Sequence, residues 1–272
     1  MTTSDIEVVM GWAAAEGWNP GRGDGPLMYA IDPQGFFAAF DGDEMVGAFG
    51  MPRYGDAFAF AGLYIVRPDH RGTAVGALLA RVGARHAGDR VIGTDGVLER
   101  EADYARLGFR TAYHHVRWSG VVDGAVDGDA RVVCPGDFDV EALIALDDRC
   151  FPGDRRAFMR AWVEPPHLVR AVTHDAQVTG FGVARQAVEG WRVGPLVAAS
   201  DDDAEAILRA IAAELPGEVL HVDVPDVNGA AVALMQRLGL AEGFTCARMY
   251  RGGAAPDLPT DVIYGNGTLE VG

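Results

Sequence analysis

Cysteine is scarce in this sequence: Cys134, Cys150 and Cys246 are the only three in 272 residues, far apart and with no CxxC pair. A disulfide framework needs paired cysteines and a zinc knuckle needs closely spaced ones, so both are excluded and the three read as packed thiols. The seven histidines form no HExxH pattern, and the adjacent His114 and His115 would face opposite sides of a strand, so no metal site is expected. No apolar run approaches the ~18 residues that span a bilayer. Met1 to Glu7 lacks the basic and apolar regions of a signal peptide. Both absences point to a cytoplasmic chain with no membrane partner. Positive charge is short as well: 23 basic residues against 39 acidic ones give a net charge of −16 and a pI near 4.7. Nucleic-acid binding requires a basic surface, so nucleic acid is not an expected partner. An acidic surface draws in a cationic amine, and equally serves solubility alone.

Two common phosphate motifs are missing too, GxxxxGK[ST] and a GxGxxG after a strand. In their place stands Leu63 to Arg85. Phe58 to Val66, rich in aromatic and β-branched residues, reads as a buried strand that Pro68 ends. After a short turn, Val75, Leu78, Leu79 and Val82 recur at i, i+3, i+4 and i+7, one apolar face of a helix. Arg71, Gly72 and Gly76 lie at the helix mouth, where unpartnered N–H groups and the helix dipole favour an anion. By geometry alone the corner suits a phosphate or is a plain strand-to-helix turn.

Arg71, Ala74 and Gly76 fill the pattern [QR]-x-x-G-x-[GA], preceded by Val66-Arg67-Pro68, and Tyr104 to Phe109 (YARLGF) fills Y-x-x-x-G-F. The pair resembles the two hallmarks of the GNAT N-acetyltransferases, in their order and spacing. Ala74 departs from the family, which normally has glycine there. The resemblance implies an α+β fold with a mixed sheet that splays after its fourth strand, and acetyl-CoA as acyl donor. It places the donor against Tyr64, Ile65 and Val66 on the strand, and Arg71, Gly72, Thr73, Ala74, Val75, Gly76 and Ala77 on the loop and helix start. A backbone N–H of Ile65 or Tyr64 is the implied oxyanion donor, and Tyr104 the acid that protonates the leaving thiolate. For the base, Asp95 at the end of the fifth strand is the first candidate and Glu99 the second; Asp95 next to Gly96 equally suits a helix cap. Glu16 and Asp24, flanking Trp18, are candidates for binding the substrate amine, with Trp18 either walling the acceptor pocket or stapling its loop to the core.

Periodicity gives a helix over 5–15, a hairpin of Phe36–Phe40 with Met45–Met51, a strand over 90–94, a helix over 98–107 and a closing strand over 113–118. Val121 to Asp129, dense in Gly and Asp, reads as a linker between a catalytic domain (1–120) and a second one (130–272). The second repeats the first: Gly62 and Gly194 are 132 residues apart, Tyr104 and Met235 131, Gly108 and Gly239 131. Its equivalent of the phosphate loop, Ala199 to Ala204, carries three aspartates that would repel a pyrophosphate. Asn228 keeps a family-like position with nothing left to serve, and strands are expected at 262–264 and 269–271. The whole chain resembles the tandem acetyltransferases labelled YitH-like, with an active first copy and a degenerate second. The implied function is acetyl transfer to a primary amine, of a small molecule in the first instance. Transfer to a protein lysine or N-terminus, and non-catalytic sensing of CoA, are the alternatives; a homodimer is open to it.

Overall fold

A computed structural model describes residues 1–124 and 129–272. The first half runs α1 (Thr3–Ala15), α2 (Asp24–Ile31), β1 (Phe36–Asp41), β2 (Glu44–Gly50), β3 (Arg53–Tyr54), β4 (Phe58–Val66), α3 (Ala74–Ala87), β5 (Val91–Val97), α4 (Glu101–Arg106) and β6 (Arg110–Val121). The second runs β7 (Val132–Val133), α5 (Val140–Cys150), α6 (Arg156–Trp162), β8 (Leu168–His174), β9 (Gln177–Gln186) and β10 (Trp191–Ala198). It continues with α7 (Asp201–Glu214), β11 (Val219–Pro225), α8 (Gly229–Arg237), β12 (Ala241–Arg251) and β13 (Ile263–Gly265). Of the linker read at 121–129, residues 125–128 lie outside the described residues, and Val121 is the last residue of β6.

Local chemistry accounts for the helix starts. Thr2 caps α1 by accepting from the Asp5 N–H at 3.3 Å, and the Asp5 carboxylate accepts from the Thr2 N–H at 2.7 Å, a reciprocal capping box. Ser200 caps α7 by accepting from the Asp203 N–H at 3.2 Å. Helices α2 and α6 are absent from the sequence reading: α2 opens with Asp-Gly-Pro, which reads as a turn, and α6 spans seven residues, under two helical turns.

All the strands join one mixed sheet, whose main path is β1-β2-β4-β5-β12-β6-β11-β10-β9-β8-β7. The β4–β5 and β10–β11 pairs are parallel and the rest antiparallel. The closing strand of the first half, β6, has both its sheet partners in the second half, β11 and β12. In return β12 lies between β5 and β6, with Arg248 opposite Asp95 and Cys246 opposite both Val97 and His115. The two halves therefore exchange their last strands. Helices α1, α2, α5 and α6 cover one face around Leu63, Ile65 and Trp162; α3 covers the other around Ala61, Ile92 and Phe109, with α7 and α8 further along.

Both parallel pairs come apart halfway. Pairing of β4 with β5 ends at Ala61 opposite Thr94, and pairing of β10 with β11 ends at Val193 opposite Val222. In the second half the gap is filled by the chain itself. Strand β13 pairs with β10 at Leu196–Gly265 and Val197–Ile263, and the Asn266 N–H donates to the Asp223 carbonyl at 2.8 Å. Asn228 has a task after all: its amide donates to the carbonyls of Asp261 (3.1 Å) and Ile263 (3.0 Å), holding the tail in place, while its oxygen caps α8. The Tyr264 hydroxyl donates to Asp201 at 2.6 Å, at the start of α7. Residues 269–271, expected as a strand, form a turn, since the tail has by then left the sheet edge.

Candidate active site

The gap between β4 and β5 is the mouth of a cavity of about 520 Å³. Its origin is a bulge in β4. Ala59 and Ala61 face α3, yet Leu63 and Ile65 face α1, so β4 carries one extra residue that flips the alternation. Leu63 takes a φ of +48°, and the register against β2 slips between Ala48–Ile65 and Gly50–Gly62. The Thr94 hydroxyl donates to the Ala61 carbonyl at 2.8 Å, the last tie before the strands part.

Backbone direction past the bulge follows from one hydrogen bond. The Arg67 N–H donates to the Val46 carbonyl on the β2 side. Successive N–H groups of a strand alternate, so Ile65 also points to β2 while Tyr64 and Val66 point into the gap. The Arg71 Nε, donating to the Val66 carbonyl at 2.9 Å, reaches it from that open side. Of the two backbone donors considered, Tyr64 is the one aimed at the gap.

At the gap's upper end Gly72 has a φ of +78°, with open space where a side chain would be. Thr73 caps α3, its hydroxyl accepting from the Val75 N–H at 3.4 Å, which leaves the N–H groups of Ala74 and Gly76 free for an anion. A β-carbon on Gly76 would stand 2.7 Å from the Tyr64 hydroxyl, so a side chain there would push the Tyr64 ring aside. Arg71 holds Glu16, from the loop after α1, in an ion pair, and both line the cavity. These residues fit a pyrophosphate: cation, helix start and unhindered backbone converge.

Tyr104 lies across the gap on α4. Its ring stacks edge-on against Phe109 at 5.8 Å and rests on Gly96 of β5, where a β-carbon would be 2.6 Å from the ring. Burial pushes its phenol up to about 12, with the neighbouring Tyr64 adding to the shift, so it is a proton donor throughout the neutral range.

The other candidates fare differently. Asp95 lines the cavity, but its buried carboxylate accepts from Arg248 through both oxygens at 2.7 Å and contacts His115 Nδ1 at 3.1 Å. Burial works against ionisation, yet the Arg248 charge and His115 outweigh it and hold the carboxyl below the usual range, a poor base. Nor does it cap a helix. Cys246 joins Asp95 and His115 in a cluster with ligand atoms within 4.8 Å of one another, but a guanidinium already occupies both carboxylate oxygens, which does not fit a cation. Glu99 sits exposed in the turn before α4, off the cavity wall, where Arg100 and Asp103 stand instead. Asp24 is fully buried at the start of α2, bound by the Arg185 Nε at 2.8 Å and away from the cavity. It is thus not available to a substrate amine, because its partner arginine reaches it from β9, 161 residues away. Trp18 packs against the α1 core and also lines the cavity.

Four wall residues are not among the sequence candidates and come from the second half: Phe244, Arg251, Leu269 and Glu270. They come from β12 and the carboxyl-terminal tail, brought across by the strand exchange, and no local pattern marks them. Glu270 is buried and accepts from Arg192 at 3.0 Å; Arg192 in turn donates to Asp223 at 2.5 Å, which accepts from Arg117 at 2.7 Å. A chain of paired charges thus underlies this wall of the cavity.

Three comparisons bear on this geometry. Residues 143–265 match the model of the acetyltransferase (GNAT) domain, which falls on the half whose gap is filled by its own tail. The fold resembles that of a putative acetyltransferase from Pyrococcus horikoshii, with a TM-score of 0.84 at 23% identity over 100% of this chain and 94% of that one. It also resembles a tandem GNAT protein from the clavulanic acid biosynthesis pathway, with a TM-score of 0.62 at 14% identity over 94% and 98% of the two chains. In sequence the chain is 30% identical over 249 residues to the holothin acyltransferase of Pseudoalteromonas sp. (strain SANK 73390), covering 90% of this chain and 84% of that one. An open splay with a helix-start anion site, and a relative matched along nearly its whole length, lead to one assignment: the chain belongs to the GNAT acetyltransferase family and is an acyltransferase enzyme.

Proposed function

We propose that the first half transfers an acyl group, acetyl in the simplest case, from its CoA thioester to the primary amine of a small molecule. The observation that carries this reading is the bulge at Gly62–Leu63, which opens β4 beside the phosphate-binding corner and leaves the Tyr64 N–H aimed into the gap.

In this reading Arg71 exchanges Glu16 for the pyrophosphate, and the N–H groups of Ala74 and Gly76 complete its cradle. The neutral amine attacks the thioester carbonyl, forming the N–C bond as the carbonyl π electrons move onto oxygen, which the Tyr64 N–H stabilises. Collapse breaks the C–S bond, Tyr104 protonates the departing thiolate, and the amine's surplus proton passes to water. Asp95 positions rather than abstracts: it fixes Arg248 and His115 beneath the acceptor side. A small acceptor is favoured over a protein lysine because Trp18, Phe244, Leu269 and Glu270 wall that side.

Titration calorimetry of acetyl-CoA into the wild type and Arg71→Glu tests the donor site, followed by an amine screen. One site per chain in the wild type and none in the variant is the expected result. A second site would put a donor in the filled half, and binding with no amine turned over would leave a CoA sensor.

A further inference from the structure

The cavity does not stop where β4 and β5 meet. It continues past the Ala61–Thr94 tie, on the α3 face of the sheet, into a chamber lined by Met51, Ala61, Ile92, Ala80, Ala84 and Phe109. These residues come from five separate stretches of chain, and none offers a polar side chain. An acetyl group ends at the gap and leaves this apolar space unfilled. Helix α3 preserves it: the positions it turns toward the cavity, 76, 77, 80 and 84, bear nothing larger than a methyl, while Leu79 on the adjoining face is packed fully into the core. A leucine at 80 or 84 would fill the hollow. The far end is marked by Arg251, in register with Ile92, its guanidinium 5.9 Å from the centre of the Phe109 ring.

We infer that the chamber holds the aliphatic tail of an acyl group longer than acetyl, so that the donor is a short- to medium-chain acyl-CoA. The chamber is continuous with the gap where the thioester lies and opposite the acceptor wall, so a chain bound there leaves the carbonyl open to the amine. This rests on the proposed donor site and goes beyond it in naming the donor class.

The test is to titrate CoA, acetyl-CoA and hexanoyl-CoA into the full chain, wild type and Ala80→Leu and Ala84→Leu. Each methylene buried strengthens binding about fourfold, so hexanoyl-CoA should bind at least about tenfold tighter than acetyl-CoA in the wild type. Either leucine should erase that advantage and leave acetyl-CoA binding within about twofold, which also reports that the variant is folded. Equal affinities for the two thioesters in the wild type, needing no variant, would overturn the inference while leaving the donor site standing. A hexanoyl preference that survives both leucines would overturn it too, by placing the chain elsewhere. Failure of CoA and acetyl-CoA alike to bind would overturn the donor site itself, and the chamber's role with it.

Discussion

The carbonyl oxygen of Glu270 rests against the α-carbon of Gly62: a β-carbon built on that glycine would stand 1.9 Å from it. The last residues of the chain are thus pressed onto the bulge that opens the first half's gap. The Tyr54 hydroxyl donates to the Val271 carbonyl at 2.6 Å, and Arg155 to that of Gly272 at 2.6 Å, pinning the tail from two sides. Gly62→Ala must displace either the tail or β4. We expect a loss of about 1–3 kcal/mol of stability, as for other overpacked sites, with a fall in acyl-transfer kcat exceeding the change in donor affinity. Thermal unfolding and steady-state kinetics check both.

Tyr104→Phe removes the proposed acid and keeps the ring. Turnover should fall about 10²- to 10⁴-fold, the usual range for a lost general acid, with little change in acetyl-CoA affinity. The pH profile is a sharper test. The active form is the protonated phenol, and burial raises its pKa to about 12, so the acid stays in place as pH rises to the limits of the assay. The wild-type rate should climb with pH as the amine substrate loses its proton, with no alkaline decline below about pH 10 from this group. An alkaline limb near pH 8 would assign the acid to another residue.

Asp95 and Asp223 set the acid limit of stability. Both are held below the ordinary 3.8 by arginines that outweigh the opposing effect of burial: Arg248 for Asp95, Arg117 and Arg192 for Asp223. A depressed carboxyl contributes its full stabilisation above its unfolded pKa and loses it as pH falls through that value toward the folded one. Through these two carboxyls Tm should be unaffected above about pH 5 and drop steeply below about pH 4. Asp223→Ala, which leaves the buried Arg117 guanidinium without a carboxylate and Arg192 with Glu270 alone, should cost about 3–5 kcal/mol at neutral pH, measured by denaturant unfolding.

The strand exchange forbids dividing the chain. Without the second half β6 has no sheet partner and β5 loses one of its two edges to solvent. Residues 1–124 expressed alone should aggregate or show no cooperative unfolding, because a long unpaired strand edge is a template for association. Co-expression with 129–272 should restore a soluble complex. A folded, CoA-binding fragment 1–124 would show that β5 and β6 can do without β11 and β12.

What the sequence by itself determined is what short-range physics encodes. The apolar run of β4, the proline that ends it, the helical period of α3 and the glycines at its mouth all act within some twenty residues, so Arg71, Gly72, Gly76 and Tyr104 could be placed on their elements by pattern alone. Tertiary structure decided everything that depends on partners distant in the chain. Asp95 reads as a free carboxylate until β12 sets Arg248 opposite it, and Asp24 as a carboxylate available to a substrate amine until Arg185 of β9 pairs with it. Asn228 reads as a relic until the tail it holds is folded back onto it. Strand exchange and tail insertion are pairings made through backbone hydrogen bonds, which every residue but proline offers equally, so no side-chain pattern announces them. Which carboxylates are free for chemistry and which are spent on the fold is settled only once those pairings form.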